Sequence, residues 1–464
     1  MNTSKSFSSN RGGANSDARS GAGSAQSTCS HFVMFGSPVT GTKSRFSQRS
    51  FRAAGVPAGL LSALMLVAML LFSGVDDVRA QTYAIQGDIV YTMAGEPIAN
   101  GVVLVRDGKI DRVGPANAVR IPSGVEVVQA RIVTPGFIDA HSVVGLAGAL
   151  NSPHDQDQLE RSNPFQPELR AIDAYNAREH LVVYVSDQGI TTLHTGHGPG
   201  AIASGQTMIV KTSGETVNEA LVDSVTMVAF TLGPSVSRNY SQVGSRSRTI
   251  AMLRAEFIKA QEYKRKVDED GGDPAKMPAR NLKMETMMAV LNGEIRAMIT
   301  AQQVTEILAA LRLQEEFGFD LVLDGAAEAY LVLDQIKAAG VPVLLHPPMV
   351  RTTGETVNAS WETAAELHEA GIPFAFQAGF EGYVPKTRIV HYEAAIAIAN
   401  GLPYLAGLEA ITIGSARILG IDDRVGSLER GKDADIALFN GDPFEFLTST
   451  TGVMINGQWV VEPE

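Results

Sequence analysis

Four histidines and one aspartate stand where this sequence places the ends of buried strands: His141, His194, His197, His346 and Asp324. His194 and His197 follow the apolar run 190–193 in a glycine-rich loop, His346 follows 343–345, and Asp324 follows 320–323. Imidazoles and a carboxylate gathered at one mouth could hold a divalent metal or an anion. The other reading is a set of loop histidines satisfied by local hydrogen bonds. His180 and His368 fall inside helical patterns, and His391 opens a helix that either faces the mouth or is satisfied internally. Gly198-Pro199-Gly200 reads either as an anion-binding nest or as an ordinary glycine turn. No serine-hydrolase elbow or phosphate-binding loop motif occurs. The single cysteine, Cys29, lies in the N-terminal leader, so the rest of the chain has neither disulfides nor a cysteine nucleophile.

The elements that must position these residues follow a repeated unit of helix, glycine and buried strand. Segments 304–317, 327–339 and 361–370 have helical patterns and end at Gly318, Gly340 and Gly371, each followed by a short apolar run. Glycine there supplies the left-handed cap that ends a helix before the next strand. About 290 residues of this pattern suit an eight-stranded barrel, with a doubly wound sheet as the alternative. The flanks differ. Short alternating runs at 88–91, 101–106 and 109–113, with a tight Asp107-Gly108 turn, predict antiparallel strands, and 434–439 and 453–461 repeat that chemistry. We therefore expect an α/β fold: a (β/α)8 TIM-like barrel over 131–420, and a small composite β-sandwich formed by 81–130 and 421–464. Segment 234–280 breaks the rhythm and reads as a loop insertion that either covers the mouth or is a solvated helix.

At 464 residues, 45% hydrophobic and 19% charged, the chain is globular rather than disordered or coiled-coil. Its first 54 residues are rich in Ser, Gly, Ala and Arg and cannot bury enough surface to fold. Arg45, Arg49 and Arg52 precede an apolar run at 56–72, then a polar stretch ending at Ala80. That order predicts a disordered leader and signal peptide over 1–80, cleaved before Gln81, and hence export to the periplasm or the medium. An uncleaved anchor is the alternative and the one route to a membrane. The first 80 residues hold eight Lys or Arg and three Asp or Glu, so the remainder of a chain of net charge −12 carries −17. Such a field disfavours nucleic acid and anionic membrane surfaces.

Residues Ile132-Val133-Thr134-Pro135-Gly136-Phe137-Ile138-Asp139-Ala140-His141 resemble the first barrel strand of the amidohydrolase superfamily, which ends in a His-x-His metal pair. The stretch 410–419, followed by Asp423-Arg424-Val425-Gly426-Ser427-Leu428-Glu429-Arg430-Gly431-Lys432-Asp433-Ala434-Asp435, resembles that family's return into its β domain. The resemblance covers essentially all of the chain after the leader and is nearest to the secreted, imidazolonepropionase-like subgroup. It implies metal-dependent hydrolysis of C–N bonds in cyclic amides, ureas, amidines or peptides. Zinc or a similar ion with one open position would lower the pKa of bound water toward ~7, and a carboxylate would carry its proton to the leaving nitrogen.

The ligands that the resemblance implies are mostly absent. His141 is followed two positions later by Val143, which has no lone pair. Thr300 and Gln302 stand where relatives carry a histidine pair or a single histidine, and Asp324 stands where they carry a histidine. The eighth-strand aspartate falls within 376–380, which reads Phe-Gln-Ala-Gly-Phe. His141 is thus expected to be a vestigial ligand, with no cofactor bound and the barrel serving as a non-catalytic binding protein for a small molecule or for an active amidohydrolase paralogue. The alternative is an active hydrolase of cyclic amides, ureas or peptides, with zinc or a similar divalent ion in a site rebuilt from some of His194, His197, His346 and Asp324.

Overall fold

The computed structural model describes residues 82–150, 152–269, 278–379 and 389–463. The expected leader with Cys29, and residues 270–277 of the expected insertion, lie outside the described residues. Among the described residues, sixteen strands follow in chain order. They are β1 (Thr82–Val90), β2 (Ile98–Arg106), β3 (Lys109–Pro115), β4 (Glu126–Pro135), β5 (Phe137–Ser142), β6 (Ile190–Gly196), β7 (Ala203–Lys211) and β8 (Leu221–Asp223). Then come β9 (Met227–Thr231), β10 (Arg296–Ala301), β11 (Leu321–Gly325), β12 (Val343–Leu345), β13 (Phe374–Phe376), β14 (Ile436–Phe439), β15 (Thr450–Ile455) and β16 (Gln458–Val461).

Both ends of the described chain build one seven-stranded sheet, in the order β16-β15-β14-β4-β1-β2-β3. Asp107 and Gly108 both take positive φ, 52° and 77°, and join β2 to β3 as the Asp-Gly pair predicts. The expected sandwich is a single hydrogen-bonded sheet rather than two. Irregularities at Leu104/Val105 and Val453/Met454 interrupt its ladders, and such bulges let one sheet bend over its own core. That core includes Ile85, Val103, Val133, Ile436 and Met454.

The barrel sheet runs β5-β6-β7-β9-β10-β11-β12-β13, with β8 beside β7. Its ends approach one another through Gly379 N–H to His141 O at 3.3 Å, while Ile138 N–H bonds Ile411 O at 2.8 Å. The (β/α)8 pattern is altered at one strand: β7 runs antiparallel to both neighbours. Only residues 197–202 separate β6 from β7, too few for the crossover that a parallel strand needs. Three helices end as expected, at Gly318, Gly340 and Gly371 with φ of 76°, 67° and 69°. Two start later than their sequence patterns suggest, at Leu333 and Thr363.

Strand periodicity divides the core in two. Met298, Val322, Leu344 and Ala375 point into the barrel and pack with Ile138, Ala140 and Ile413. Their neighbours Ile299, Leu323, Leu345 and Phe376 face the surrounding helices. The segment expected as an insertion splits into two parts. Helix Arg246–Glu269 buries Leu253, Phe257 and Ala260, with Phe257 stacked 4.9 Å from both Phe317 and Phe319. The short helix Ser235–Asn239 instead reaches the mouth.

A buried ion cluster joins barrel to β domain. Lys211, at the end of β7, pairs with Asp435 and lies 3.3 Å from Asp433, which also accepts from Lys109 at 2.5 Å and Arg424 at 3.0 Å. Burial pushes the Asp433 carboxyl up, but the surrounding cations outweigh it and hold the group below its ordinary value. A lowered native pKa contributes stability that is present above the unfolded value of ~3.9 and lost as pH falls through the native value. We expect Asp433→Asn to flatten the acid limb of the stability–pH curve below about pH 4, measured by denaturant unfolding. An unchanged acid limb would contradict this.

Candidate functional site

The inward positions of the strands become polar at their C-terminal ends. Two residues beyond Met298, Val322, Leu344 and Ala375 stand Thr300, Asp324, His346 and Gln377, because alternate residues of a strand share a face. Strand β5 contributes His141 and Ser142, its register against β6 shifted between Asp139 and Ser142. Together with Val143 and Gln302 these residues line a cavity of about 660 Å³ at the barrel mouth.

Asp324 is the hub. Its Oδ1 lies 2.8 Å from Nδ1 of His141 and accepts a hydrogen bond from Gln377 Nε2 at 2.8 Å. Its Oδ2 accepts from the Thr300 hydroxyl at 2.6 Å. Gln377 Nε2 also donates to Leu344 O at 2.8 Å, which fixes the amide orientation. Burial alone would push the Asp324 carboxyl up, but the facing His141, with Thr300 and Gln377, holds it below its ordinary value. His141 shows the mirror effect: burial lowers its pKa, and the Asp324 carboxylate outweighs that and raises it. The two form a buried ion pair, with side chains 4% and 3% exposed.

Asp139, two residues before His141 in β5, accepts from Ala378 N–H at 3.0 Å and His141 N–H at 3.3 Å, tying β5 to the segment after β13. Burial pushes its carboxyl up to about 7.

The five sequence candidates separate into two groups. His141, Asp324 and His346 line the cavity, with His346 Nδ1 2.9 Å from Pro347 O. His194 and His197 are buried and do not line it. The His194 ring centre lies 5.9 Å from that of His141. Its Nδ1 donates to Ala140 O at 2.6 Å and its Nε2 accepts from the Thr207 hydroxyl at 2.7 Å, so both nitrogens are used. Burial drops its pKa to about 3 and that of His197 to about 4. His197 packs against Gly205, where a Cβ would come within 2.3 Å of the ring. Among the described residues, no group of three or more His, Cys, Asp or Glu side chains is placed to hold a metal ion.

Residues that the sequence did not single out form the rim: Arg161, Arg238, Arg351 and Glu355. They sit on loops, a five-residue helix and a single 3-10 turn (Gly354–Thr356), where no periodicity marks them. Of the segment 376–380, Phe380 lies outside the described residues.

The Amidohydrolase family model matches residues 321–460, from β11 to the last strand of the β sheet. The solved amidohydrolase of Thermotoga maritima superposes with a TM-score of 0.77 at 28% identity, over 82% of this chain and 99% of that one. The chain belongs to the amidohydrolase superfamily. Among curated amidohydrolase relatives, the imidazolonepropionase of Solibacter usitatus is 26% identical over 375 residues, 75% of this chain and 87% of that protein. Amidohydrolase tasK of Hapsidospora irregularis is 23% identical over 392 residues, 77% of this chain, which spans only 39% of the length of that relative.

Proposed function

We propose that this amidohydrolase-fold protein has exchanged its metal centre for a side-chain hydrogen-bond network, and that its barrel serves as a non-catalytic binding site. The observation that carries this reading is the set of three hydrogen bonds that engage both oxygens of Asp324, from His141, Thr300 and Gln377. A catalytic zinc needs three protein ligands converging on one point with a fourth position open. The residues here do not fit it. Val143 and Thr300 are non-ligands, Gln377 gives its amide nitrogen to Asp324 and Leu344, and three hydrogen bonds already compete with a cation for the Asp324 carboxylate. The rebuilt-site alternative loses support because His194 has both nitrogens committed.

A buried carboxylate facing one imidazole and two further donors is internally balanced, so no ion is required for charge compensation. The occupant is then a small molecule or an active relative that delivers one. We also read residues 1–80 as an export leader, which N-terminal sequencing of secreted protein tests. For function, the purified chain is assayed with added zinc or manganese against hydantoins, lactams, cyclic ureas and dipeptides. No turnover above a heat-inactivated control is expected. Hydrolysis that follows the added metal and disappears with chelator would refute the reading.

A further inference from the structure

We propose that the β domain binds a phosphomonoester, with the guanidinium groups of Arg112 and Arg120 taking its phosphate and an apolar floor taking its organic group. This site is separate from the barrel mouth and does not depend on the reading given to that cavity. Segment 116–125, between β3 and β4, lies over the face of β2 and β3 that carries Leu104, and the two enclose a cavity of about 510 Å³. None of its lining residues is shared with the mouth. Strand register sets what faces it. Leu104 packs with Ala84, Val102 and Val119, and Arg112 stands directly across from Leu104 on β3, so the two share a face. Val119 is buried with its N–H bonded to Pro115 O at 3.1 Å, which holds its neighbour Arg120 at the cavity edge.

Four charged side chains line this cavity: Arg106, Asp111, Arg112 and Arg120. Arg106 lies 3.7 Å from Asp111, and those two charges offset one another. Arg112 and Arg120 are exposed and, among the described residues, have no ion pair or side-chain hydrogen bond. Two positive charges are therefore left over, in a chain whose residues 81–464 carry −17. That overall field repels anions, so a ligand here must be matched by the local guanidiniums. A phosphomonoester carries about −1.5 to −2 near neutral pH and has three acceptor oxygens, which two guanidiniums can meet through paired hydrogen bonds. A single carboxylate would leave one of them unmatched. Ser123 adds a hydroxyl, while Leu104, Ile121 and Pro122 supply the apolar floor. The volume is that of a small-molecule site. A free phosphomonoester and a lipid headgroup that ends in one present the same chemistry to these residues.

The test uses the full chain at about pH 8, where the monoester is a dianion, and at low ionic strength. Calorimetry is run with phenyl phosphate, inorganic phosphate and phenol, and sedimentation with phosphatidylcholine vesicles that contain or lack phosphatidic acid. Phenyl phosphate is expected to bind ~10-fold or more tighter than phenol, which lacks the charge, and tighter than inorganic phosphate, which lacks the apolar group. Arg112→Glu and Arg120→Glu, at exposed positions, should each weaken binding by ~10-fold or more with an unchanged unfolding temperature, and Arg112→Lys should retain part of it. Arg248→Glu makes the same charge change on the exposed side of helix Arg246–Glu269, outside the cavity lining, and should leave affinity within ~2-fold. Arginine-dependent binding of phenyl phosphate sustains the site with a soluble ligand. Arginine-dependent binding of phosphatidic acid vesicles alone sustains it with a lipid one. Binding of neither, equal binding of phenol or inorganic phosphate, unchanged affinity in Arg112→Glu and Arg120→Glu, or an equal loss in Arg248→Glu would overturn the proposal.

Discussion

Substituting Val143→His, Thr300→His, Asp324→His and Gln377→Asp together is expected to raise zinc affinity far above that of the parent chain. The positions are set by strand geometry. Thr300, Asp324 and Gln377 each stand two residues beyond an inward core residue, and Val143 stands two beyond His141. All of them line the same cavity apart from its polar loops. Restoring imidazoles at three of these positions and a carboxylate at the fourth, beside His141, supplies the nitrogen and oxygen donors that zinc prefers. It also removes the Asp324 hub that occupies the native site. Zinc affinity should rise by several orders of magnitude, because each converging ligand adds to a shared ion. Calorimetry with zinc and a chelator competitor measures this. A reconstituted chain that binds zinc no better than the parent would mean that these residues do not occupy the family's ligand positions.

The second large effect is on stability. Asp324→Ala should destabilise the fold by ~3–5 kcal/mol, the usual result of removing one partner from a buried ion pair. Three hydrogen bonds are lost, and His141 stays buried, opposite a hole. The double substitution His141→Ala with Asp324→Ala should cost less than the sum of the two single changes, because neither leaves an uncompensated group behind. Denaturant unfolding of the four proteins closes the cycle. Were Asp324 primarily a metal ligand, chelator would destabilise the parent chain by a similar amount. The hydrogen-bond account instead predicts that chelator leaves the parent unchanged.

Much of the architecture was legible because it depends on local rules. Glycines 318, 340 and 371 cap helices in the left-handed region, and Asp107-Gly108 turns a hairpin. The Pro-Gly-Phe-Ile-Asp run fixed His141 and Val143, and strand alternation supports the placement of Thr300, Asp324 and Gln377. The antiparallel β7 was missed although the short link 197–202 carried its signal: six residues cannot cross over a barrel. Other features could not be read from sequence. His194 is a structural residue because Ala140 O and Thr207 meet its ring, contacts 54 and 13 positions away in the chain. The hub role of Asp324 depends on partners from β5, β10 and the end of β13, which converge only when the sheet closes. The rim arginines lie on loops and one five-residue helix, where a charged residue reads the same whether it faces a cavity or open solvent. Lys211 likewise gives no sign in the sequence that its ammonium is buried between Asp433 and Asp435.

The central claim, that hydrogen bonds have taken the metal's place, is tested most directly by the zinc content of the purified chain. The protein is incubated with excess zinc, dialysed and analysed for bound metal, and its unfolding temperature is compared with and without chelator. The account predicts far less than stoichiometric zinc and the same unfolding temperature in both conditions. Stoichiometric zinc, removed by chelator with a fall in unfolding temperature, would contradict it.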